Sequence, residues 1–221
     1  MKRITNYGFG KLLTLAVFVL VLFATGGQAK AEIPNGDGDL LWEKGIGGRS
    51  VNDAVFHPIN GNIIAAVNHE IWEIDPKDGH TIRVFEGGIY GREIKEIRIT
   101  NDGNLIVANV WGASGIVIWN YETGSIWKTL KLYGQDLGIL PNNKEIIFYY
   151  PDGEQICRYD IYNEVKKDSQ IIKGLNGNAY VDVMRLSKDG KYLAIGKAEA
   201  IGGGHWKYSM ELWDAETLTP I

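Results

Sequence analysis

Short runs of alternating or continuously apolar residues follow one another through most of this 221-residue chain. Clusters of Gly, Asn, Asp and Pro separate these runs at intervals of about 8–12 residues. Apolar side chains at every second position, or throughout a short run, are typical of β-strands. Sustained helical spacing is absent outside the N-terminal segment, so the pattern predicts an all-β fold. The clearest runs are Val51–Phe56, Asn62–Val67, Glu70–Ile74, Ile94–Ile99, Leu105–Ala108, Ile116–Trp119 and Glu145–Tyr150.

The runs belong to an internal repeat. Four glycines, Gly48, Gly91, Gly134 and Gly177, are each 43 residues apart, and an apolar run opens two or three residues after each. A tight-turn signal then follows in every unit: Asn60-Gly61, Asp102-Gly103, Asn142-Asn143 and Asp189-Gly190. A period of 40–45 residues with several strands per unit is typical of β-propeller blades.

Each unit also contains a third run with a shared ending. An apolar residue, two variable positions and a large apolar residue precede Asp or Asn. The four examples are Ile71–Asp75, Ile116–Asn120, Ile156–Asp160 and Met210–Asp214. The Asp or Asn is expected to begin a turn by accepting hydrogen bonds from backbone N–H groups two residues on. We favour this structural role for Asp75, Asp160 and Asp214 over a catalytic one.

These residues resemble the WD-repeat family of β-propellers, and quinoprotein-like or YVTN-type propellers share the same rhythm. Trp213-Asp214 is a WD dipeptide, and Trp119-Asn120, Ile74-Asp75 and Tyr159-Asp160 are degenerate forms of it. The Gly-His dipeptide of the family is missing. The resemblance covers about residues 40–221 and implies four blades of about 43 residues, with units at about 48–90, 91–133, 134–176 and 177–221. It further implies that a strand at residues 40–44 completes the last blade.

Three arrangements are compatible with four units: a closed four-bladed ring, a larger ring shared by two chains, and an open, incomplete arc. Four blades are at the low end for closed rings. WD-type blades usually pack at a smaller angular step than a four-fold ring demands, which favours the open arc. An open arc would expose apolar blade faces and sheet edges, and these are sites of self-association or aggregation.

The N-terminal residues 1–31 have the pattern of a cleaved signal peptide. Lys2, Arg3 and Lys11 precede an apolar run from Leu12 to Ala24, and Ala29-Lys30-Ala31 matches a small-residue cleavage site. The apolar run is shorter than the roughly 20 residues that span a bilayer. We therefore expect export to the periplasm or beyond, cleavage after Ala31, a domain at residues 32–221 and no stable membrane span afterwards.

Charge and cysteine content narrow the function classes. The segment predicted to be removed has four basic residues and no acidic one, so the mature chain has 19 basic and 27 acidic residues. This negative balance disfavours nucleic acid as a partner. Cys157 is the only cysteine, so no intrachain disulfide forms, and a small buried residue is the expected role.

Recognisable catalytic motifs are missing. None of His57, His69, His80 and His205 stands at metal-ligand spacing from another, and the chain has no G-x-S-x-G elbow and no phosphate-binding glycine loop. We therefore expect no metal or cofactor.

Propeller topology gathers the segments between blades and the second-to-third-strand loops on one face. This loop face would hold a candidate binding set of Arg49, His69, Arg92, Trp111, His205 and Trp206. Exposed Arg with Trp and His suits an anionic or aromatic ligand, although pairing of the arginines with neighbouring acids is the favoured role. The last unit has a longer loop, Ala198–Ser209, that suits either binding or a tolerated insertion.

The leading hypothesis is a non-catalytic, exported module for protein binding or assembly, acting through the loop face or an exposed edge. Self-association to complete a ring is one form of it. The alternative is a propeller-class enzyme, a lactonase, hydrolase or quinone-dependent oxidoreductase, with a metal or cofactor at the channel mouth. A gene remnant without independent function is a third. Fold by itself favours none of these.

Overall fold

The computed structural model describes residues 42–85, 92–111, 115–172 and 179–221, and these form four antiparallel sheets of four strands. Each sheet is a sequential meander, here called blade 1 (β1–β4), blade 2 (β5–β8), blade 3 (β9–β12) and blade 4 (β13–β16). The predicted all-β propeller with four blades is confirmed. The strands are β1 Val51–Phe56, β2 Ile63–Val67, β3 Glu70–Ile74, β4 Thr81–Val84, β5 Ile94–Ile99, β6 Leu105–Val110, β7 Gly115–Asn120, β8 Ile126–Leu130, β9 Gln135–Ile139, β10 Glu145–Tyr150, β11 Gln155–Asp160, β12 Val165–Ile171, β13 Ala179–Leu186, β14 Tyr192–Gly202, β15 His205–Asp214 and β16 Thr219–Pro220.

The turns between first and second strands share one backbone conformation. Gly61, Gly103, Asn143 and Gly190 all have φ between +58° and +75°. Only Gly, or Asn at modest cost, adopts this left-handed region readily, which explains the residue types at these positions. Each turn also packs on its neighbour, because a Cβ on Gly103 would lie 2.6 Å from the His57 ring.

The turns after the third strands form as the sequence predicts. The carboxylate of Asp75 accepts a hydrogen bond from the Lys77 N–H at 2.8 Å, and Asp214 accepts from the Thr217 N–H at 2.7 Å. Asp160 accepts from the Tyr162 N–H at 3.0 Å. These bonds hold the link to the fourth strand, so the structural role of the three aspartates is confirmed.

Apolar side chains fill the spaces between consecutive blades. Because successive side chains of a strand point to opposite faces, each blade contributes one row to the preceding blade and another to the next. One cluster joins blades 1 and 2 around Ile71 and Trp119, a second joins blades 2 and 3 around Ile116 and Phe148, and a third joins blades 3 and 4. Buried Cys157 lies in the second cluster, as expected.

The four blades form an open arc in the part of the chain that the structure describes, where no buried cluster joins blade 4 to blade 1. The remaining cluster covers the outer face of blade 1, where Ile46, Val67 and Ile74 are buried. Among the described residues, none forms a comparable buried cluster on the outer face of blade 4. The favoured arrangement of the sequence analysis is therefore the one observed.

The segment before β1 corrects the expectation of a strand at residues 40–44 that completes blade 4. Residues 42–44 form no strand, and residues 40 and 41 lie outside the described ranges. Trp42 instead packs on blade 1, where its Nε1–H donates to the Pro76 carbonyl at 2.8 Å and its ring lies against Gly79. Blade 4 has its own short fourth strand, β16, which pairs with Trp213 and Asp214 of β15.

Trp42 occupies the place of a preceding blade. Within the arc, a basic side chain of one blade donates a hydrogen bond to a backbone carbonyl of the next blade, in the turn between its third and fourth strands (the third turn). Arg83 donates to the Tyr121 carbonyl at 2.6 Å, and Lys128 donates to the Ile161 carbonyl at 3.0 Å. Pro76 holds the corresponding position in blade 1, and the Trp42 indole is its donor. The outer face of blade 1 is thus capped by the chain itself.

Replacing Trp42 with alanine is therefore expected to lower the free energy of unfolding by about 1–2 kcal/mol, from lost apolar burial and one hydrogen bond. Trp111→Ala is the matched control, because that indole is 62% exposed, and its expected loss is below about 0.5 kcal/mol. Urea unfolding of both variants measures the difference. Equal losses would show that Trp42 does not cap blade 1.

The predicted signal peptide lies outside the described residues. Within the described residues, no helix has the length and apolarity needed to cross a membrane.

Candidate functional site

The segments predicted to form the loop face are held together by backbone hydrogen bonds. The residues leading into each first strand lie beside a second-to-third-strand turn. The Asn68 N–H donates to the Ser50 carbonyl at 2.9 Å, and the Trp111 N–H donates to the Glu93 carbonyl at 2.9 Å. The Ile94 N–H donates to the Asn68 carbonyl at 2.7 Å and so connects blade 2 to blade 1.

The structure does not gather the six candidate residues into one cluster. Arg49 pairs with Glu70 at 2.5 Å and lies over the Trp72 ring, which agrees with the pairing role favoured for the arginines. Arg92 is exposed, and His69 lies in the turn between β2 and β3. Trp111 is exposed beneath Lys95, whose Nζ lies 5.5 Å from the ring centroid.

The last two candidates, His205 and Trp206, lie on a hairpin. Residues 198–209, expected to form a long loop, continue β14 and β15 as paired strands, and only Gly203 and Gly204, which follow Gly202 at the end of β14, form the turn. All three glycines have positive φ, from +61° to +91°, which makes the tight turn accessible. Trp206 pairs with Ala200 on a strand, and its ring contacts Tyr180 edge-on at 5.6 Å.

A central pocket of about 320 Å³ opens between the first strands of the blades. Trp111 is the one predicted candidate that lines it. The other lining residues are Asn52, Asp53, Lys95, Glu96, Asn109, Val110, Tyr133, Gly134, Gln135, Asp136 and Arg185.

Three acids of the pocket have one structural task. In blades 1–3, a carboxylate in the first strand accepts a hydrogen bond from a backbone N–H in the first strand of the next blade. Asp53 accepts from Ile97 at 3.0 Å, and Glu96 accepts from Leu137 at 2.8 Å. Asp136 accepts from the Met184 N–H. The repeated bond fixes the position of neighbouring first strands and satisfies amide groups that the β-ladder leaves free.

Two arginines connect these acids across the pocket. Arg98 pairs with Asp53 at 3.0 Å and with Glu96, and Arg185 pairs with Asp136 at 3.2 Å and Glu96 at 3.7 Å. Glu96 thus contacts groups from three blades. Burial raises the pKa of Glu96 to about 7, although Arg98 and the Leu137 amide oppose the rise. Burial also raises the pKa of Asp136, against the opposing charge of Arg185.

The sequence patterns did not predict this acid and arginine network. The signal in the sequence is a constant spacing between an acid and the turn that follows the first strand. The acid stands four residues before the first turn residue in each case: Asp53 before His57, Glu96 before Thr100 and Asp136 before Leu140. The corresponding residue of blade 4 is Val183. At this spacing blade 4 therefore has an apolar side chain, and the neighbouring residue is Asp182.

One group of potential metal ligands lies elsewhere. The ligand atoms of Asp75, Asp78 and His80 are within 4.8 Å of one another in the turn between β3 and β4. The Asp78 carboxylate already accepts hydrogen bonds from the His80 backbone N–H and from the His80 ring at 2.6 Å, and these two bonds lower the pKa of Asp78. Topology puts this turn at the opposite end of blade 1 from the loop face, so it is separate from the pocket.

The outer face of blade 4 is the largest departure from the repeat. Met210 corresponds to Ile71, Ile116 and Ile156, each of which points to the next blade and is at most 1% exposed, whereas Met210 is 81% exposed. Other large apolar side chains share its face. We call this surface the open face. It consists of Tyr180, Val183, Trp206, Tyr208, Met210 and Leu212.

Comparisons with known proteins support the architecture. No family model matches the chain, and no curated protein matches it. Among solved structures, hydrazine synthase of Kuenenia stuttgartiensis superposes with a TM-score of 0.62 and 13% sequence identity, over 77% of this chain and 47% of that one. The chain thus spans about half the length of this neighbour. At this identity the similarity shows a β-propeller fold, and membership of the WD-repeat family stays a prediction.

Proposed function

We propose that the chain is a non-catalytic, exported protein-binding module that takes its partner on the open face of blade 4. The observation that carries the proposal is the exposure of Met210 at a position that the next blade covers in blades 1–3. Contiguous exposed apolar side chains are a common mark of protein interaction sites. This face also presents Tyr and Trp side chains, which are residue types strongly enriched in binding hot spots.

The open face is suited to a protein surface because the charged side chains of Lys207 and Glu211, which alternate with it along β15, lie on the other side of the sheet. Along β15 the even-numbered residues point outward, and Lys207 and Glu211 point to the opposite side of the sheet. Lys207 pairs with Glu199 at 3.7 Å, and Lys197 pairs with Glu211. A partner can therefore cover the open-face side chains of β15 without removing Lys207 or Glu211 from water, which would cost free energy. Arg185 lies on the same side of β13 as Val183 and pairs with Asp136 at the central pocket.

The central pocket supports the non-catalytic part of the proposal. Each of its acids is engaged by a backbone N–H of the next blade or by an arginine, and no buried side-chain N or O atom lacks a partner among the described residues. Such pairing is typical of structural networks. Export rests on the N-terminal pattern alone.

Site-specific photocrosslinking in the producing cells tests the proposal. A photoreactive phenylalanine analogue at Val183 is expected to form an adduct that mass spectrometry identifies as one defined protein, and Met210→Glu is expected to abolish it. The matched control is the same analogue at Val165, an exposed apolar position on β12, away from the open face. Absence of an adduct at Val183, or an equal adduct at Val165, would contradict the proposal.

The raised pKa of Glu96 in an open pocket is the one observation that favours the enzyme alternative, because perturbed acids are frequent in active sites. Metal analysis and an absorbance spectrum of the purified protein separate the two. A stoichiometric metal or quinone would favour an enzyme and count against the proposed module.

A further inference from the structure

The central pocket contains a nearly buried polar side chain that the protein itself leaves unpaired. Asn109 of β6 lies opposite Glu96 of β5, so both side chains are on the pocket side of blade 2, and Asn109 is 9% exposed. Within the described part of the chain, no residue forms a hydrogen bond with its amide, although every fully buried polar side-chain atom there has a partner. The amide is therefore reached from the open space of the pocket, and its donors and acceptor are available to a ligand.

The repeat does not require an amide at this position. Ala66 is the counterpart of Asn109 in blade 1, because it pairs with Asp53 as Asn109 pairs with Glu96. Ala66 is fully buried in the apolar cluster between blades 1 and 2. A small apolar side chain is thus sufficient for packing, whereas an unpaired amide in a nearly buried place costs free energy. A ligand that bonds the amide would account for its presence.

The charged groups of the pocket are already paired with one another. Both oxygens of Glu96 are engaged, one by the Arg98 guanidinium and the other by the Leu137 N–H at 2.8 Å. The other charged groups also have partners within the chain: Asp53 has Arg98, Asp136 has Arg185, and Lys95 has Glu93. An ionic ligand would have to compete with one of these pairs, so the unmet hydrogen-bonding capacity of the pocket favours a neutral ligand.

An aromatic surface lies beside the unpaired amide. The ladder between β5 and β6 continues to Trp111, whose N–H donates to the Glu93 carbonyl at 2.9 Å, so Trp111 is on the same side of blade 2 as Asn109. Tyr133 and Gln135, both exposed, line the pocket from blade 3. Aromatic side chains together with a few polar groups are typical of small-molecule sites, and the volume of about 320 Å³ lies within their usual range of about 300–1,000 Å³.

We propose that the central pocket binds a neutral sugar, with one face of a pyranose ring against Trp111 and its hydroxyl groups hydrogen-bonded to the Asn109 amide. A pyranose ring carries hydroxyl groups around its edge and C–H groups on its faces, so it suits a site with one polar and one aromatic side. Each hydroxyl both donates and accepts hydrogen bonds, which matches an amide that does the same. This site is separate from the open face and does not depend on the proposed protein partner.

Isothermal titration calorimetry with the protein purified from the producing cells is the first test. The probes are methyl glucoside, methyl galactoside, methyl mannoside and N-acetylglucosamine, and at least one of them is expected to bind saturably at one site per chain. Glucuronate and glucosamine, which carry a negative and a positive charge on the same ring, should bind at least about tenfold more weakly than the best neutral sugar. Failure of all four neutral sugars to bind, or tighter binding of glucuronate through Arg185, would overturn the proposal.

Two variants locate the site. Asn109→Leu keeps the approximate shape of the side chain but removes the amide, and Trp111→Ala removes the aromatic surface. Each should raise the dissociation constant of the sugar by at least about tenfold. Because no hydrogen bond among the described residues depends on the Asn109 amide, Asn109→Leu should leave the urea midpoint of unfolding unchanged or higher. A lowered midpoint in Asn109→Leu would show that the amide serves folding and would overturn its assignment to a ligand.

The matched controls change side chains outside the pocket. Trp127→Ala removes an exposed indole of β8, and Met210→Glu alters the open face, and neither should change sugar binding. Sugar binding that persists in both Asn109→Leu and Trp111→Ala, or that is lost in Met210→Glu, would overturn the assignment to this pocket. The photocrosslinking at Val183 reports on the open face alone, so failure of the sugar test and failure of the proposed protein partner are distinguishable.

Discussion

Replacement of Glu73 by alanine is expected to lower the free energy of unfolding by about 3–5 kcal/mol, the largest loss that we expect from a single polar residue of this protein. Glu73 is 3% exposed and faces blade 2 from β3. Its carboxylate accepts hydrogen bonds from the Asn62 amide at 2.6 Å and the Arg83 guanidinium at 2.7 Å, and from the Tyr121 hydroxyl. Removing it takes an acceptor from the partly buried Arg83 guanidinium and from two polar groups, Asn62 and Tyr121.

The electrostatics of Glu73 point the same way. Burial alone would raise the pKa of this acid, but hydrogen bonds from Tyr121, Asn62 and Arg83 together lower it below its usual value. The ionised carboxylate is therefore stabilised by folding. Because its pKa is lowered in the folded state, this contribution is present above the unfolded pKa and is lost as pH falls through the folded pKa.

Chemical denaturation at neutral pH measures the loss. Glu122→Ala is the matched control, an exposed glutamate on the neighbouring turn with an expected change within about 0.5 kcal/mol. The double variant Glu73→Ala with Arg83→Met should lose less than the two single losses together, because the unpaired cation is then also gone. Strict additivity would show that Glu73 does not act through Arg83.

The second expectation concerns pH. Between pH 5 and pH 8 the protein should lose about 2–3 kcal/mol of stability through Glu96. Its pKa is about 7 in the folded protein, above the ordinary value of 4.5, so between these values the folded state binds a proton that the unfolded state has released. Stability therefore falls as pH rises through this window. Asp136, whose pKa burial also raises, acts with the same sign.

Urea unfolding across this pH range tests the expectation with two variants. Glu96→Gln cannot ionise, so its pH dependence should shrink to less than about half that of the unmodified protein. Glu93→Gln, at a half-exposed glutamate that pairs with Lys95, should leave the dependence unchanged. An unchanged slope in Glu96→Gln would show that burial in the central pocket does not hold this acid in its protonated form.

The two positions stabilise different parts of the arc. Glu73 and Arg83 tie the outer half of blade 1 to the third turn of blade 2, through the Tyr121 hydroxyl and carbonyl. Glu96 ties the first strands of blades 2, 3 and 4 around the central pocket. Loss of Glu73 should therefore loosen one interface between blades, whereas ionisation of Glu96 acts on all three blades that meet at the pocket.

Local chemistry explains why the repeat was predictable. The four turns with Gly or Asn at positive φ, and the Asp or Asn after each third strand, act through their own backbone neighbours, so their sequence signals hold in the fold. The alternation of apolar residues likewise predicts which side chains are buried, and Ile71, Ile116 and Ile156 are buried in the structure. The all-β class, the four blades and most strand positions follow from these signals.

The sequence could not show which surfaces lack a cover, because burial of one blade face depends on what packs against it. Met210 has the apolar character of its three counterparts, yet only the assembled arc leaves it exposed. The segment around Trp42 resembles a fourth strand in sequence, but the Trp42 indole donates a hydrogen bond to a carbonyl of blade 1 instead. The acid and arginine network joins residues some 40 or more positions apart, and only tertiary structure brings such side chains together. Sequence alone thus determined the blades through local hydrogen bonding and alternation, while the open face, the capped face and the central pocket depend on long-range packing.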